Sequence, residues 1–443
     1  MLNDPPMPER FAELKPALSQ NEALAESARC LFCYDAPCTR ACPTHIDVPA
    51  FIKKILSGNL RGSARTIFSA NVLGGSCARV CPTEVLCEGA CVLNDLHARP
   101  IQIGRLQRHS TDWAMAREMP LWDRPEAPRR GKVAVVGAGP AGLSCAAELR
   151  ALGYRVVVYE ASEKPGGLNT HGVAEYKMNQ DFALKEVDYV LQRGVEMKLK
   201  TRVGADVSVA ELEKEYDAVF LGVGLGGAAK LGIPGEELPG VVDALQMIAQ
   251  LKAAPVDARP AGRRVVVVGG GNTAIDAVTQ SVRLGADEVT LVYRRGREEM
   301  PAYDHEQELA KRDGVKFVLQ AQPVRIVGKD RVEAIELVRM RLGKADKSGR
   351  RAAEPIPGSE FRIECDAVVL AAGQKTHPLV AQVPQMRADG AGIRHNGQTM
   401  QTDNPRWFVG GDCAYGGKEV VNAVAEGKRA ALGIHEWLEA RRG

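Results

Sequence analysis

The sequence lacks any apolar run near the roughly 18 residues that a membrane-spanning helix requires. It also lacks a long block of lysine and arginine, and its net charge is only +3, so charge gives no case for nucleic-acid binding. The first ten residues, MLNDPPMPER, carry proline and mixed charge where a secretory leader would have a basic end and an apolar stretch. These absences predict a cytoplasmic protein that engages neither membrane nor nucleic acid. A further absence is chemical. No cysteine occurs between residues 241 and 364, and Cys145 stands alone on a predicted helix. No redox-active cysteine pair is therefore available for disulfide reduction.

What is present is ample core. With 443 residues, 45% hydrophobic and 26% charged, the chain has the composition of a globular protein of about three domains. Cysteine usage is lopsided: eight of the 11 lie between positions 30 and 91. In a reducing compartment such clustering indicates metal binding rather than disulfides.

Residues 1–125 form the cysteine-rich part, where NEALAESARCLF and VPAFIKKILSGNLRGSARTIF show helical apolar spacing without strand alternation. The stretch PLWDRPEAPRRGK, rich in proline and charge, reads as a linker. Strands and helices alternate beyond it. KVAVVGAGPAGLSCAAELRALGYRVVVYE reads as strand, glycine-rich turn, helix and strand, and RRVVVVGGGNTAIDAVTQSVRLGADEVTLVYRR repeats the plan about 130 residues later. Two such units predict two nucleotide-binding lobes, each with a parallel sheet.

In the first unit Gly137, Gly139 and Gly142, with Pro140 and Ala141 between them, form a GxGxxG turn that opens a helix toward a pyrophosphate. Glu160 ends the second strand, 23 residues after Gly137, where a carboxylate can bond ribose hydroxyls. Gly167 and Leu168 follow in KPGGLNT, and far downstream FVGGDCA precedes a helix. A Gly-Gly after the ribose acid, paired with a distant Gly-Gly-Asp, resembles the FAD domain of two-dinucleotide flavoproteins and implies Gly411 and Asp412 beside the ribityl and pyrophosphate. Spacing alone would equally allow NAD. In the second unit Gly269, Gly271 and Ala274 fit the GxGxxA variant, with Asn272 and Thr273 inside it. Its second strand ends not in an acid but in Arg294-Arg295. Arginine can pair bidentately with a 2′-phosphate, which leans toward NADPH. A solvated strand end would carry the same residues, so the expectation is NAD(P)H.

The cysteines are spaced Cys30-x2-Cys33-x4-Cys38-x3-Cys42 and Cys77-x3-Cys81-x5-Cys87-x3-Cys91. Thiolates suit iron–sulfur clusters or zinc. Proline directly after Cys42 and Cys81 matches ferredoxin-type loops. A flavin that takes hydride as an electron pair also needs one-electron carriers, and zinc has no redox chemistry. Composition allows four cysteines for each of two [4Fe–4S] clusters, and spacing does not say which cysteine serves which.

Together, RCLFCYDAPCTRACPTHIDVPAFI, CPTEVLCEGACVL, PIQIGRLQ and the two dinucleotide motifs resemble the N-terminal half of dihydropyrimidine dehydrogenase, and specifically the separate electron-input subunit of the bacterial enzyme, the PreT type. The chain stops where the longer enzyme continues to an FMN barrel. The five-residue gap between Cys81 and Cys87 carries the most specific part of the likeness. The small subunit of glutamate synthase is similar throughout, with a shorter gap there, and is the alternative.

The resemblance implies a crossed ligand set: Cys30, Cys33, Cys38 and Cys91 for one [4Fe–4S] cluster, and Cys42, Cys81, Cys87 and Gln107 for the other, leaving Cys77 spare. It implies FAD at Gly137, Gly139, Gly142, Glu160, Gly167, Leu168, Lys177, Gly411 and Asp412, with Lys177 standing where the family has arginine. It implies NAD(P)H at Asn272, Thr273, Arg294, Arg295 and the Ala371-Ala372-Gly373 turn, Arg297 being a weaker candidate. The implied fold is α/β: a helical iron–sulfur domain (1–125), then two Rossmann-like domains, the NAD(P) domain (241–364) inserted between the FAD segments 130–240 and 365–443. The implied activity sends electrons from NAD(P)H through FAD and both clusters to an FMN- and iron–sulfur-containing partner subunit, in a heteromer such as a heterotetramer, that reduces uracil or thymine. No side chain of this chain is implied as acid or base. A rival from another class is a zinc-stapled module that senses redox state.

Overall fold

The structure is a computed structural model that describes residues 7–120, 131–254, 260–345, 349, 351–390 and 392–441. Most of the linker predicted over 120–132 lies outside them.

The chain begins with helices: α1 (Met7–Arg10), α2 (Gln20–Ala28), α3 (Pro37–Ala41), α4 (Val48–Leu56), α5 (Leu60–Ala70), α6 (Gly74–Val80) and α7 (Ile103–Met115). Alternation follows as β1 (Lys132–Val136), α8 (Pro140–Ala151), β2 (Arg155–Tyr159), α9 (Leu168–His171), α10 (Gln180–Leu191), β3 (Glu196–Lys198), α11 (Val209–Glu215) and β4 (Ala218–Leu221). A second run comprises β5 (Val241–Asp243), α12 (Ala244–Ala253), β6 (Arg264–Val268), α13 (Asn272–Arg283), β7 (Glu288–Tyr293), α14 (Asp304–Arg312) and β8 (Lys316–Leu319). It continues through β9 (Ala321–Val327), β10 (Ala334–Ala345), β11 (Arg351–Glu364) and β12 (Ala367–Leu370). The last elements are β13 (Ala388–Asp389), β14 (Gly392–Ile393), β15 (Trp407–Val409), α15 (Asp412–Tyr415) and α16 (Val420–Glu439).

Contacts divide the chain into two compact units. The larger unit holds Glu13–Thr170, Lys177–Gly226 and Thr376–Gly443. Its parallel sheet runs β15-β4-β1-β2-β3, with Val133 opposite Val156 and Ala218. Both faces are covered, so β1 and β4 read as continuous apolar runs rather than as alternation. The helices α2 to α7 belong to this same unit: Phe51, Ile52, Ile67 and Leu106 form their core, and Val421 of α16 packs into the cluster that contains Ile52 and Leu106. Helix starts here follow local chemistry. Ser19 and Glu22 form a capping box on α2, and Asp47, Asn59 and Asn179 cap α4, α5 and α10.

The smaller unit holds Met1–Ala12, His171–Tyr176 and Gly227–Lys375. Its parallel sheet runs β5-β12-β6-β7-β8. Because β12 pairs with β5 and β6 at the centre of this sheet, residues 367–370 serve this lobe, beyond the boundary at 364 that the sequence suggests. A three-stranded antiparallel sheet, β11-β10-β9, lies in the same unit and has no counterpart among the two parallel sheets expected. No described helix is long and apolar enough to cross a membrane.

Candidate cofactor and cluster sites

The turn after β1 is built by close packing. A Cβ at Gly142 would stand 1.9 Å from the Gly137 carbonyl oxygen, so only glycine lets α8 approach the strand this closely. Gly139 faces Gly167, whose φ of +57° is in the left-handed region; a Cβ at Gly167 would come within 2.8 Å of Gly139 Cα. Helix α8 starts at Gly139 and Pro140 without a side-chain cap, which leaves its first-turn N–H groups open to a ligand. The Glu160 carboxylate accepts from Ala138 N and Ser162 N, each at 2.8 Å, and so fixes the loop on both sides of the strand ends. Gly411 completes the cradle, where an added Cβ would stand 3.0 Å from the Ala141 side chain. Thus residues 137–142, 160, 167 and 411 converge, and an anionic dinucleotide fits a loop of this kind. Leu168 is exposed beside Gly167, and Lys177 is half-buried.

A residue outside both dinucleotide motifs holds this loop. Glu426 of α16 accepts the Gly411 N–H at 2.8 Å, and burial pushes its carboxyl up to about 7. Lys418 N donates to Asp412 at 3.1 Å, and burial raises Asp412 as well. Glu426 sits in EGKRAA, an ordinary amphipathic helix by pattern, and only its fifteen-residue reach back to Gly411 reveals the role.

In the smaller unit a cavity of about 560 Å³ is lined by Gly269, Gly270, Gly271, Thr273, Arg294, Arg295 and the Ala371–Gly373 turn, together with Lys230 and Gln322. That size lies within the range of cofactor sites. A Cβ at Gly269 would meet the Ala371 carbonyl oxygen at 2.5 Å, which presses the two motif turns together. Helix α13, like α8, begins without a side-chain cap. Asn272 instead accepts from Tyr303 N at 3.2 Å, and Ala274 is buried beneath the turn; neither lines the cavity. Arg294 is exposed at the end of β7 with no ion pair among the described residues, whereas Arg295 is buried. Arg297 pairs with Glu308 at 2.5 Å and stands outside the cavity lining.

The cysteines fall into two groups in space. Cys30, Cys33, Cys38 and Cys91 line one small apolar cavity with Ile52, Leu93 and Ile103. Burial pushes the Cys38 thiol up to about 11, with Cys30 and Cys91 adding to the shift. Cys42, Cys81 and Cys87 form the second group, and Cys77 lies beside Cys81 within hydrogen-bonding reach. Burial raises Cys87 strongly, with Glu88, Cys81 and Cys42 acting in the same direction. The neighbouring Cys77 thiol and burial raise Cys81. Bare thiols in such settings hold their protons at neutral pH, so metal must displace those protons to bind. Cys77 is buried and its Sγ accepts from Asn71 Nδ2 at 3.1 Å.

Gln107 is buried on α7, which packs on α6. Its Nε2 donates to the Gly74 carbonyl at 2.7 Å, and its Oε1 takes no hydrogen bond among the described residues. Among the described residues no three His, Cys, Asp or Glu side chains converge to hold a single metal ion. The first group instead surrounds a cavity, a donor set suited to a polynuclear cluster. The remaining cysteines, Cys145, Cys365 and Cys413, are buried, and burial raises each thiol, the last two to about 12. They are protected thiols without nucleophilic character.

Two further residues serve the second group. Lys15 Nζ donates to the Cys81 carbonyl at 2.9 Å. Glu186 of α10 accepts from Gly75 N and Ser76 N at the start of α6.

Comparison with known proteins agrees with this division of the chain. Residues 7–119 match the family model described as dihydropyrimidine dehydrogenase domain II, 4Fe-4S cluster, and residues 131–427 match pyridine nucleotide-disulphide oxidoreductase. The glutamate synthase [NADPH] small chain of Escherichia coli is 38% identical, over 97% of this chain and 94% of that one. The NAD-dependent dihydropyrimidine dehydrogenase subunit PreT of Salmonella typhimurium is 35% identical, over 96% of this chain and 97% of that one. Among solved structures, FprA of Mycobacterium tuberculosis in complex with NADPH aligns with a TM-score of 0.61 at 24% identity, covering 71% of this chain and 86% of that one, which speaks for the fold alone. The chain therefore belongs to the family of iron–sulfur flavoprotein oxidoreductase subunits that includes the glutamate synthase small chain and PreT.

Proposed function

We propose that this chain is an electron-input subunit: bound FAD takes hydride from NAD(P)H, and two [4Fe–4S] clusters carry the electrons singly to an FMN-containing partner that reduces uracil or thymine to the 5,6-dihydro form. Cys30, Cys33, Cys38 and Cys91 would hold one cluster; Cys42, Cys81, Cys87 and Gln107 would hold the other. The observation that carries this reading is the grouping of the cysteines. Cys91 shares a cavity with the first motif rather than with Cys87, its neighbour in sequence.

The residues of the chain then have separate tasks. Glu160 and the facing Gly139 and Gly167 backbones orient the flavin dinucleotide, and Glu426 keeps Gly411 in place. Arg294, exposed on the cavity wall, is available to a 2′-phosphate, so NADPH is the favoured donor. Glu419, at the N-cap of α16, acts on Cys81 by its charge, which supports a second cysteine group on the flavin side and leaves the first group for the exit.

The five-residue spacing from Cys81 to Cys87 favours the pyrimidine-reducing partner. The 38% identity to the glutamate synthase small chain favours the alternative, in which the same electrons reach a glutamate-forming large subunit. Purification with the native partner decides between them. Uracil-dependent NADPH oxidation is the expected result; dependence on glutamine plus 2-oxoglutarate would establish the alternative.

A further inference from the structure

The segment before α2 is held across α7 by that helix's own side chains. Arg105 Nε donates to the Pro16 carbonyl at 2.9 Å, Arg108 donates to the Lys15 carbonyl at 2.5 Å, and Arg108 also pairs with Glu13. This anchoring turns the Lys15 side chain inward, where Nζ donates to the Cys81 carbonyl at 2.9 Å and to Thr83 Oγ1 at 3.0 Å. The ammonium thus rests on two neutral oxygens. Its nearest carboxylate, Glu84, is 3.6 Å away and 41% exposed, so water screens that pair, whereas the Lys15 side chain is only 18% exposed. Cys81 itself is buried. The Lys15 charge reaches both Cys81 and Glu88, and Glu419 opposes it at Cys81.

We propose that Lys15 sets the reduction potential of the cluster held by Cys42, Cys81 and Cys87, its positive charge at the Cys81 carbonyl stabilising the reduced form. The inference rests on the cluster assignment proposed above. One-electron reduction adds a unit of negative charge to the site, with no bond made and no proton moved. A unit cation beside that added charge, screened as charges near a protein surface are, biases the equilibrium by on the order of tenfold. Net charge around a cluster is one of the levers by which a protein tunes it. Lys15 is a positioning residue for electrons in this sense, contributed by a segment that none of the cysteine motifs includes.

The test is a potentiometric EPR titration of the full-length protein carrying its flavin and iron, for wild type, Lys15→Gln, Lys15→Met and Lys15→Arg. Both neutral variants should lower the midpoint of one cluster by about tenfold in its reduced-to-oxidised ratio, about 59 mV for one electron, and leave the other cluster unmoved. Lys15→Arg should stay near wild type. A neutral variant at the wild-type potential overturns the proposal. So does loss of iron from both neutral variants, since Lys15 would then hold the loop rather than set the potential. Absence of iron–sulfur signals from wild type would instead refute the cluster assignment.

Discussion

Glu186 of α10 accepts the backbone N–H of Gly75 at 2.7 Å and that of Ser76 at 3.1 Å, and the Ser76 hydroxyl as well. One carboxylate from the flavin-side sheet layer thereby fixes the start of α6, the helix that ends at Cys81. Burial raises this carboxyl to about 7 against the opposing hydrogen bonds and the nearby Arg79. A folded-state value above the ordinary 4.5 means that the folded protein binds the proton more tightly than the unfolded chain. Its stabilising contribution is complete below the unfolded value and is lost as pH rises through about 7. Glu426 acts in the same direction over the same window. Thermal melts of Glu186→Gln should therefore vary less between pH 5 and 7.5 than those of wild type, at a general cost of about 1–3 kcal/mol, because the amide N–H₂ faces donors. Equal slopes in the two proteins would contradict this origin.

Gly142→Ala should fail to hold flavin. The added methyl group meets the Gly137 carbonyl oxygen at 1.9 Å, so α8 must retreat from β1 and the cradle opens. The cost in stability is about 1–3 kcal/mol or more. Flavin per chain, read by absorbance after gel filtration, should fall well below that of wild type; full flavin occupancy would show that the turn can yield.

Arg294→Ser tests the donor preference. Loss of a charge-assisted pair with a 2′-phosphate should lower kcat/KM for NADPH by roughly tenfold to a hundredfold and leave NADH use nearly unchanged. Equal losses for both donors would assign the arginine to a general part of the site.

Cys77→Ser and Cys91→Ser separate the two ligand sets. The proposed ligand sets leave Cys77 spare, its thiol beside Cys81 and hydrogen-bonded by Asn71, so its replacement should leave both clusters in place. Cys91 lines that cavity, so its replacement should remove one cluster and spare the other. Iron analysis with EPR checks both. Damage to a cluster in the Cys77 variant would mean that the stretch 77–91 acts as a single ligand set.

Local chemistry made part of this protein legible in its sequence. The turns at 137–142 and 269–274 and the arginines after β7 are read from spacing because a strand, a turn and a helix are consecutive in the chain. Grouping of the cysteines is not local: nothing between Cys87 and Cys91 announces that the latter faces the cavity of Cys30. Lys15, Glu186 and Glu426 were invisible for the same reason, since each acts on backbone brought to it by folding. The antiparallel sheet was hidden differently. Pro355, Pro357 and Gly358 argue against a strand, yet β11 lies at the sheet edge, where a missing N–H costs little. The boundary at 364 placed β12 with the flavin domain because a lobe's last strand can follow a long insertion, and only pairing with β6 assigns it.

One flavin and two iron–sulfur clusters within this single chain are the core of the proposed function. The most direct test is the content of iron, acid-labile sulfide and zinc per FAD in anaerobically purified protein. Two [4Fe–4S] clusters predict about eight iron and eight sulfide per FAD, with no zinc. Zinc without sulfide, or about four iron, would contradict it.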